Sequence, residues 1–299
     1  MREAMYCHAE AFAAKDVRQA EHLIRCDLCP RACLLANGQI GFCKGRKVIN
    51  GVLYAINYAQ CVAIAMDPIE KKPLYHYNPG TQIVSLGPND CNLDCSFCQN
   101  WQISQHESPT ETIGIEELEA IVRANNPPQV AFTYSEPTMW YEYIYDLAAF
   151  APDIQIVLVT NGYLNEKPWK QMMSLVKAVN IDLKAFTDEF YQTQCSGHLE
   201  PVKRNIRIAF EAGVLVEITT LLIPGLNDKK TEIDALAAFI AKIDAEIPLH
   251  ISAYHPCNRL QIQATTDKEV LAACDIAAHH LQHVYAGNVY LPKYSQKSK

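Results

Sequence analysis

From residue 81 onward the chain alternates short apolar runs with amphipathic stretches. The runs are "QIVSLGP", "QVAFTYS", "IQIVLVTNG", "AVNIDLKAF", "GVLVEITTLLIPG" and "PLHISAYHP". Each has the length of a buried strand and is rich in Val, Ile, Leu or Thr. Between and after them, apolar positions recur at helical spacing in "IEELEAIVRAN", "EPTMWYEYIYDLAAFA", "KPWKQMMSLVK", "EPVKRNIRIAFEAG", "KKTEIDALAAFIAKI" and "DKEVLAACDIAAHHLQHV". Strand–helix alternation predicts parallel strands joined by right-handed crossovers. Six such units suit an open doubly wound sheet or, the reading adopted here, an α/β partial (β/α)6 TIM-like barrel over residues 81–299. Residues 1–80 lie outside the pattern and form a separate N-terminal Cys-rich module. No internal repeat is visible, and only the tail "YSQKSK" is expected to be disordered.

Polar and reactive residues cluster where the apolar runs end. Cys91, Cys95 and Cys98 follow the first run. Ser135 and Glu136 end the second, Asn161 the third, Asp182 and Lys184 the fourth, "IPGLND" the fifth and His255 the sixth. Active sites of α/β architectures form at the carboxyl ends of parallel strands. The pattern therefore predicts one site drawing on all six ends.

Composition adds exclusions. Apolar residues make up 49% and charged residues 20% of 299, ordinary for a soluble globular chain. A formal charge of −7 argues against general affinity for nucleic-acid backbone. The first 25 residues carry charges throughout and no apolar signal core, and no run approaches a membrane span, so a cytoplasmic location without membrane association is expected. Without a secretory signal, twelve cysteines point to metal binding or catalysis rather than disulfides.

The spacing C-x-x-x-C-x-x-C at Cys91, Cys95 and Cys98 offers three thiolates and no nearby fourth. Three thiolates can hold a cubic [4Fe–4S] cluster and leave its fourth iron open, the arrangement that separates catalytic from structural metal sites. This motif, after the first strand of a β/α array, resembles the radical S-adenosylmethionine (SAM) superfamily. The resemblance implies that SAM chelates the open iron and that one electron from the cluster cleaves it to methionine and a 5′-deoxyadenosyl radical, which abstracts hydrogen from a substrate. It also implies a one-electron donor of the flavodoxin or ferredoxin type.

Glu136 stands where that superfamily has a Gly-Gly-Glu-type segment that binds the SAM amino group, with Tyr134 and Ser135 in place of the glycines. A carboxylate at a helix N-terminus is the plain structural alternative. "NIDLKAF" and "SAYHP" are similar to segments of the pyruvate formate-lyase activating enzyme group. That similarity implies SAM contacts for Lys184 and His255 and a place on the site floor for Asp182. Val159 stands where the activating enzyme has an aspartate that helps bind a monovalent cation, so the resemblance does not carry that cation over. "CDLCPRACLLANGQIGFCKGR", "DPIEKKPLYHYNPG", "CNLDCSFCQNWQISQ" and "YSEPTMWYEY", in this order, resemble the radical SAM member of the AmmeMemoRadiSam system. That resemblance implies Memo-type and AMMECR-type proteins as partners and supplies no substrate. Two other readings stand beside it: a glycyl-radical-enzyme activating enzyme, and a non-catalytic Zn or Fe–S scaffold protein.

In the front module, Cys26, Cys29, Cys33 and Cys43 read C-x₂-C-x₃-C-x₉-C. Four thiolates suit structural Zn²⁺ and equally an auxiliary Fe–S cluster. "DPIEKKPLYH" is either a solvated linker or a segment packed beside the site. His279 and His283, one turn apart on the expected last helix, read as a surface face. After the sixth strand only residues 254–299 remain, too few for a separate lid. The pocket is therefore expected to be completed by a macromolecular substrate, a partner or the front module.

Overall fold

The computed structural model describes residues 1–10 and 23–290; the tail expected to be disordered lies outside the described residues. All six apolar runs form strands, at Gln82–Pro88, Gln129–Phe132, Gln155–Thr160, Ala178–Asp182, Leu215–Leu222 and Leu249–Ala253. They pair in parallel in that order. The α/β partial barrel expected from the pattern is the fold. Strands two to four are nearly continuous apolar stretches because helices cover one side and packed side chains the other. Val130, Phe132, Leu158, Val179 and Ile181 are fully buried there.

The helices follow the amphipathic stretches: Ile115–Arg123, Tyr141–Phe150, Glu166–Met173, Leu199–Glu211, Lys230–Ala241 and Asp267–Ala277. The last begins with a capping box, in which Thr266 and Glu269 each satisfy the other's backbone N–H. It is shorter than the pattern predicts. The chain leaves the helix after Ala277 and forms a further parallel strand, Val284–Gly287, beside the sixth. His279 and His283 are thus off the helix; the His283 imidazole meets Glu246, and its ring packs on His76. A four-residue strand with one apolar face cannot be told from a continuing helix by periodicity.

The front segment also reaches into the sheet. Gln60–Pro68 pairs antiparallel with Gln82–Pro88, and Glu111–Thr112 pairs with its outer edge. The nine-stranded sheet runs from Val284–Gly287 at one edge to Glu111–Thr112 at the other, without a closing pair among the described residues. The rest of the front segment makes two three-stranded antiparallel sheets. No helix of the described residues is long and apolar enough to cross a membrane.

Candidate functional site

A cavity of about 540 Å³ opens at the carboxyl ends of the parallel strands. Its wall includes Cys91, Cys95, Cys98, Ser135, Glu136, Asn161, Asp182 and Lys184. Volumes of this order suit a cofactor-sized ligand.

The first strand is aimed at the cavity by a close backbone approach. A Cβ on Gly87 would stand 2.1 Å from the Thr133 carbonyl oxygen, so only glycine lets the two strand ends meet here. The chain then turns through Asp90, whose φ of 88° is left-handed. The Asn57 side-chain amide donates to the Asp90 carboxylate at 3.0 Å, and burial pushes that carboxyl up to about 7. The cysteine loop is pinned on its far side as well. The Asp94 N–H donates to the Cys195 carbonyl (3.0 Å) and the Ser96 N–H to the Gln194 carbonyl (2.8 Å).

Two of the three thiols have hydrogen-bonding neighbours. The Asn161 amide lies 3.5 Å from the Cys91 sulfur and the Leu93 N–H 3.4 Å. Ser104 Oγ is 3.1 Å from the Cys98 sulfur. The neighbouring Cys195 thiol lowers the Cys95 pKa, whereas burial raises those of Cys91 and Cys98. Donors placed on sulfur are the levers by which a protein tunes a metal–thiolate centre. Among the described residues no three ligating side chains converge as they would on a single ion. A cubic cluster takes one thiolate per iron, so three thiols on one wall of a roomy cavity, two of them with a hydrogen-bonding neighbour, fit that group.

Glu136 occupies a more structural position than the one expected of it. It caps the short turn Pro137–Trp140. One carboxylate oxygen accepts from the Thr138 N–H (3.0 Å), Thr138 Oγ1 (2.7 Å) and Thr160 Oγ1 (2.8 Å). The other accepts from the Asn161 N–H at 2.8 Å. A carboxylate has about four lone-pair sites, so the second oxygen keeps one free for an ammonium group. Burial raises the Glu136 pKa despite these bonds. Ser135 donates to the Pro88 carbonyl at 2.6 Å.

Tyr134, at the position of the first glycine of the expected motif, sits at φ 71°, left-handed and rare for such a residue. It is held there by its hydroxyl, which donates to Asp67 (2.9 Å), and by the Lys72 ammonium 4.5 Å from its ring centre. The segment "DPIEKK" therefore packs beside the site rather than forming a solvated linker. Asp67 is buried and also accepts from Lys71 (2.8 Å) and Lys72 (2.7 Å). Burial alone would raise the Asp67 pKa, but these three bonds hold it well below the carboxylate range. Lys71 and Lys72 line the cavity, as do Thr219, Ser252 and Asn288.

Lys184 donates to Asp182 at 2.7 Å, and this carboxylate with the nearby thiols keeps the ammonium charged although burial opposes it. His255 is different. It is exposed and outside the cavity wall. The sixth strand ends at Ala253, and Tyr254 turns inward to donate to the Leu260 carbonyl at 2.7 Å, leaving His255 on the outer side.

The Radical SAM superfamily model matches residues 87–237, from the cysteine loop into the fifth helix of the array. The chain belongs to the radical SAM superfamily. Membership implies a [4Fe–4S] cluster and SAM, and members are enzymes. An uncharacterized protein of Methanocaldococcus jannaschii is 39% identical over 97% of this chain and 86% of its own length. The benzylsuccinate synthase activating enzyme of Thauera aromatica is 24% identical over 64% of this chain and 60% of its own. Among solved structures, Streptococcus suis SuiB bound to S-adenosylmethionine superposes with a TM-score of 0.55. It is 16% identical and covers 70% of this chain and 51% of that one, which is a likeness of fold. Sequence reasoning named none of Lys71, Lys72, Ser252 and Asn288 singly; the first two lie in "DPIEKKPLYH" and Ser252 opens "SAYHP", whereas Asn288 carries no motif.

Proposed function

We propose that this radical SAM enzyme serves the AmmeMemoRadiSam system and acts on a bulky, macromolecular substrate. One observation carries the reading: three thiols line an open cavity that also holds Glu136, Asp182 and three lysines. In this reading Cys91, Cys95 and Cys98 hold the [4Fe–4S] cluster, which with bound SAM supplies a 5′-deoxyadenosyl radical for hydrogen abstraction. The chain's own residues do the rest. The free lone pair of Glu136 takes the SAM ammonium. Lys184, kept charged by Asp182, takes its carboxylate or ribose. Asn161 holds Cys91 on one side and the Glu136 carboxylate on the other, so ligand and SAM contacts share one rigid loop. His255 is given no contact.

Among the described residues the sheet edges do not close, and a radical site must exclude water and side reactions. A large substrate or partner laid across the mouth meets that need. Memo-type or AMMECR-type proteins and a flavodoxin or ferredoxin type electron donor are the partners this reading names. The similarity to benzylsuccinate synthase activating enzyme supports a second reading, in which the substrate is a glycine of a partner enzyme. Anaerobic reaction of the reconstituted enzyme with deuterated candidate partner proteins tests both. Deuterium in 5′-deoxyadenosine from a Memo-type or AMMECR-type protein supports the first reading, and from a glycyl-radical enzyme the second. Fast, tightly coupled turnover of a small molecule by the isolated chain would refute a macromolecular substrate.

A further inference from the structure

A second cysteine pocket lies in the front segment. Cys26, Cys29, Cys33 and Cys43 all line it, with Leu28, Leu35 and Met139. Its free volume is about 10 Å³, too small for a metabolite. What makes it unusual is the charge beside the thiols. Arg46 lines the pocket and is 1% exposed. Among the described residues only one of its guanidinium nitrogens is bonded, Nη1 to Glu142 at 2.8 Å. Its Nε and Nη2 are buried without a partner, as is Nη2 of Arg31, which also lines the pocket. A buried donor left unpaired costs about 1–3 kcal/mol, and more when charged. Glu142 Oε2 is unpaired too and can take one donor of Arg46; the others, at the edge of the four-thiol pocket, lack an acceptor.

We propose that the four cysteines bind a metal centre as thiolates and that Arg46 and Arg31 are its counter-charges. Whether one Zn²⁺ or a [4Fe–4S]²⁺ cube is held by four thiolates, the centre carries a charge of −2. Four thiol protons leave to solvent as it forms; a single ion draws the thiols, which do not yet converge, inward, whereas a cube needs the pocket, about 10 Å³ as it stands, to widen. Sulfur then accepts the orphaned N–H groups, as outer hydrogen bonds do at metal sites. The positions of Arg31 and Met139 show what the centre would brace. Arg31 Nε donates to the carbonyl of Asn92, next to Cys91, at 2.9 Å. Met139 belongs to the turn that Glu136 caps. The centre thus supports the cysteine loop and the Glu136 turn from behind.

The test removes the other cysteines first. A Cys91→Ser, Cys95→Ser, Cys98→Ser variant, purified anaerobically, is analysed for zinc, iron and acid-labile sulfide. About one zinc, or about four irons with four sulfides, is expected per chain, and Cys29→Ser added to this variant should abolish it. Zinc content against Mössbauer and EPR spectra tells the two centres apart. Neither metal at stoichiometric level overturns the proposal. Should the triple variant fail to fold, the unaltered chain decides, since four irons with no zinc overturns it as well. The counter-charge is tested by Arg46→Met combined with Glu142→Gln, which leaves no lone buried carboxylate. Metal affinity by chelator competition should fall roughly 10–100-fold, the usual cost of losing an outer partner. Unchanged affinity overturns the role of Arg46.

Discussion

The two cysteine pockets of this molecule are built on opposite principles. One encloses about 540 Å³ at the ends of parallel strands; the other encloses about 10 Å³ between antiparallel hairpins. The first has three thiols, and most of its charged groups are paired with one another: Lys184 with Asp182, and Lys71 and Lys72 with Asp67. The second has four thiols and a guanidinium with two nitrogens left over. A site that must admit and release a cofactor needs space, and groups that are at rest without it. A site that is filled once, at folding, can leave donors waiting for an occupant that does not leave. On the proposal above, the second pocket is a closed metal site beside an open one.

The largest expected effect lies in the open pocket. Cys95→Ala should abolish the [4Fe–4S] cluster and reduce SAM cleavage to background, read by the EPR signal after anaerobic reconstitution and by 5′-deoxyadenosine formed. An intact, SAM-responsive cluster in that variant would dissolve the contrast between the pockets. In the closed pocket, Arg46→Ala should destabilise the fold by roughly 3–5 kcal/mol, because Glu142 is left buried without its partner. Urea denaturation measures this; a change below about 1 kcal/mol would mean that water reaches the pair.

Glu136→Ala should weaken SAM binding by roughly 1.5–3 kcal/mol if the ammonium contact exists. Its bonds to Thr138 and Thr160 predict a separate loss of about 1 kcal/mol of stability from the missing cap. Calorimetric SAM titration beside thermal melting separates the two. Loss of stability with unchanged affinity would make Glu136 purely structural.

Asp67→Asn should cost about 1–3 kcal/mol. The pKa of Asp67 in the fold is depressed below its unfolded value of roughly 3.9. Its contribution is therefore complete above about pH 4 and is lost as pH falls toward the folded value. The stability gap between wild type and variant should stay flat from about pH 5 to 8 and narrow below about pH 4. A gap that narrows near neutrality would contradict the pairing with Lys71 and Lys72. The smallest effect is expected for His255→Ala, within about 0.5 kcal/mol on SAM affinity, as for a surface change away from any contact. A loss of tenfold or more would bring His255 into the open pocket after all.

What the sequence determined by itself was the order and position of the six core strands and the identity of the reacting edge. Strands buried on both faces must be continuous apolar runs, and turn residues must follow them, so "QIVSLGP" and "AVNIDLKAF" announce both the strand and where its chemistry begins. The triad at Cys91, Cys95 and Cys98 was legible for the same reason: its ligands sit within one loop, and local spacing is a property of sequence. Tertiary structure alone decided the rest. Whether the carboxylate of Glu136 is free or engaged depends on Thr160 and Asn161, 24 and 25 residues away. That Asp67 and Lys72 belong to the site depends on an antiparallel strand laying the front segment along Gln82–Pro88. That Arg46 waits with unpaired donors depends on Glu142, 96 residues on, meeting it behind four cysteines. Burial and pairing are relations between distant segments, and no local pattern of apolar and polar residues encodes them.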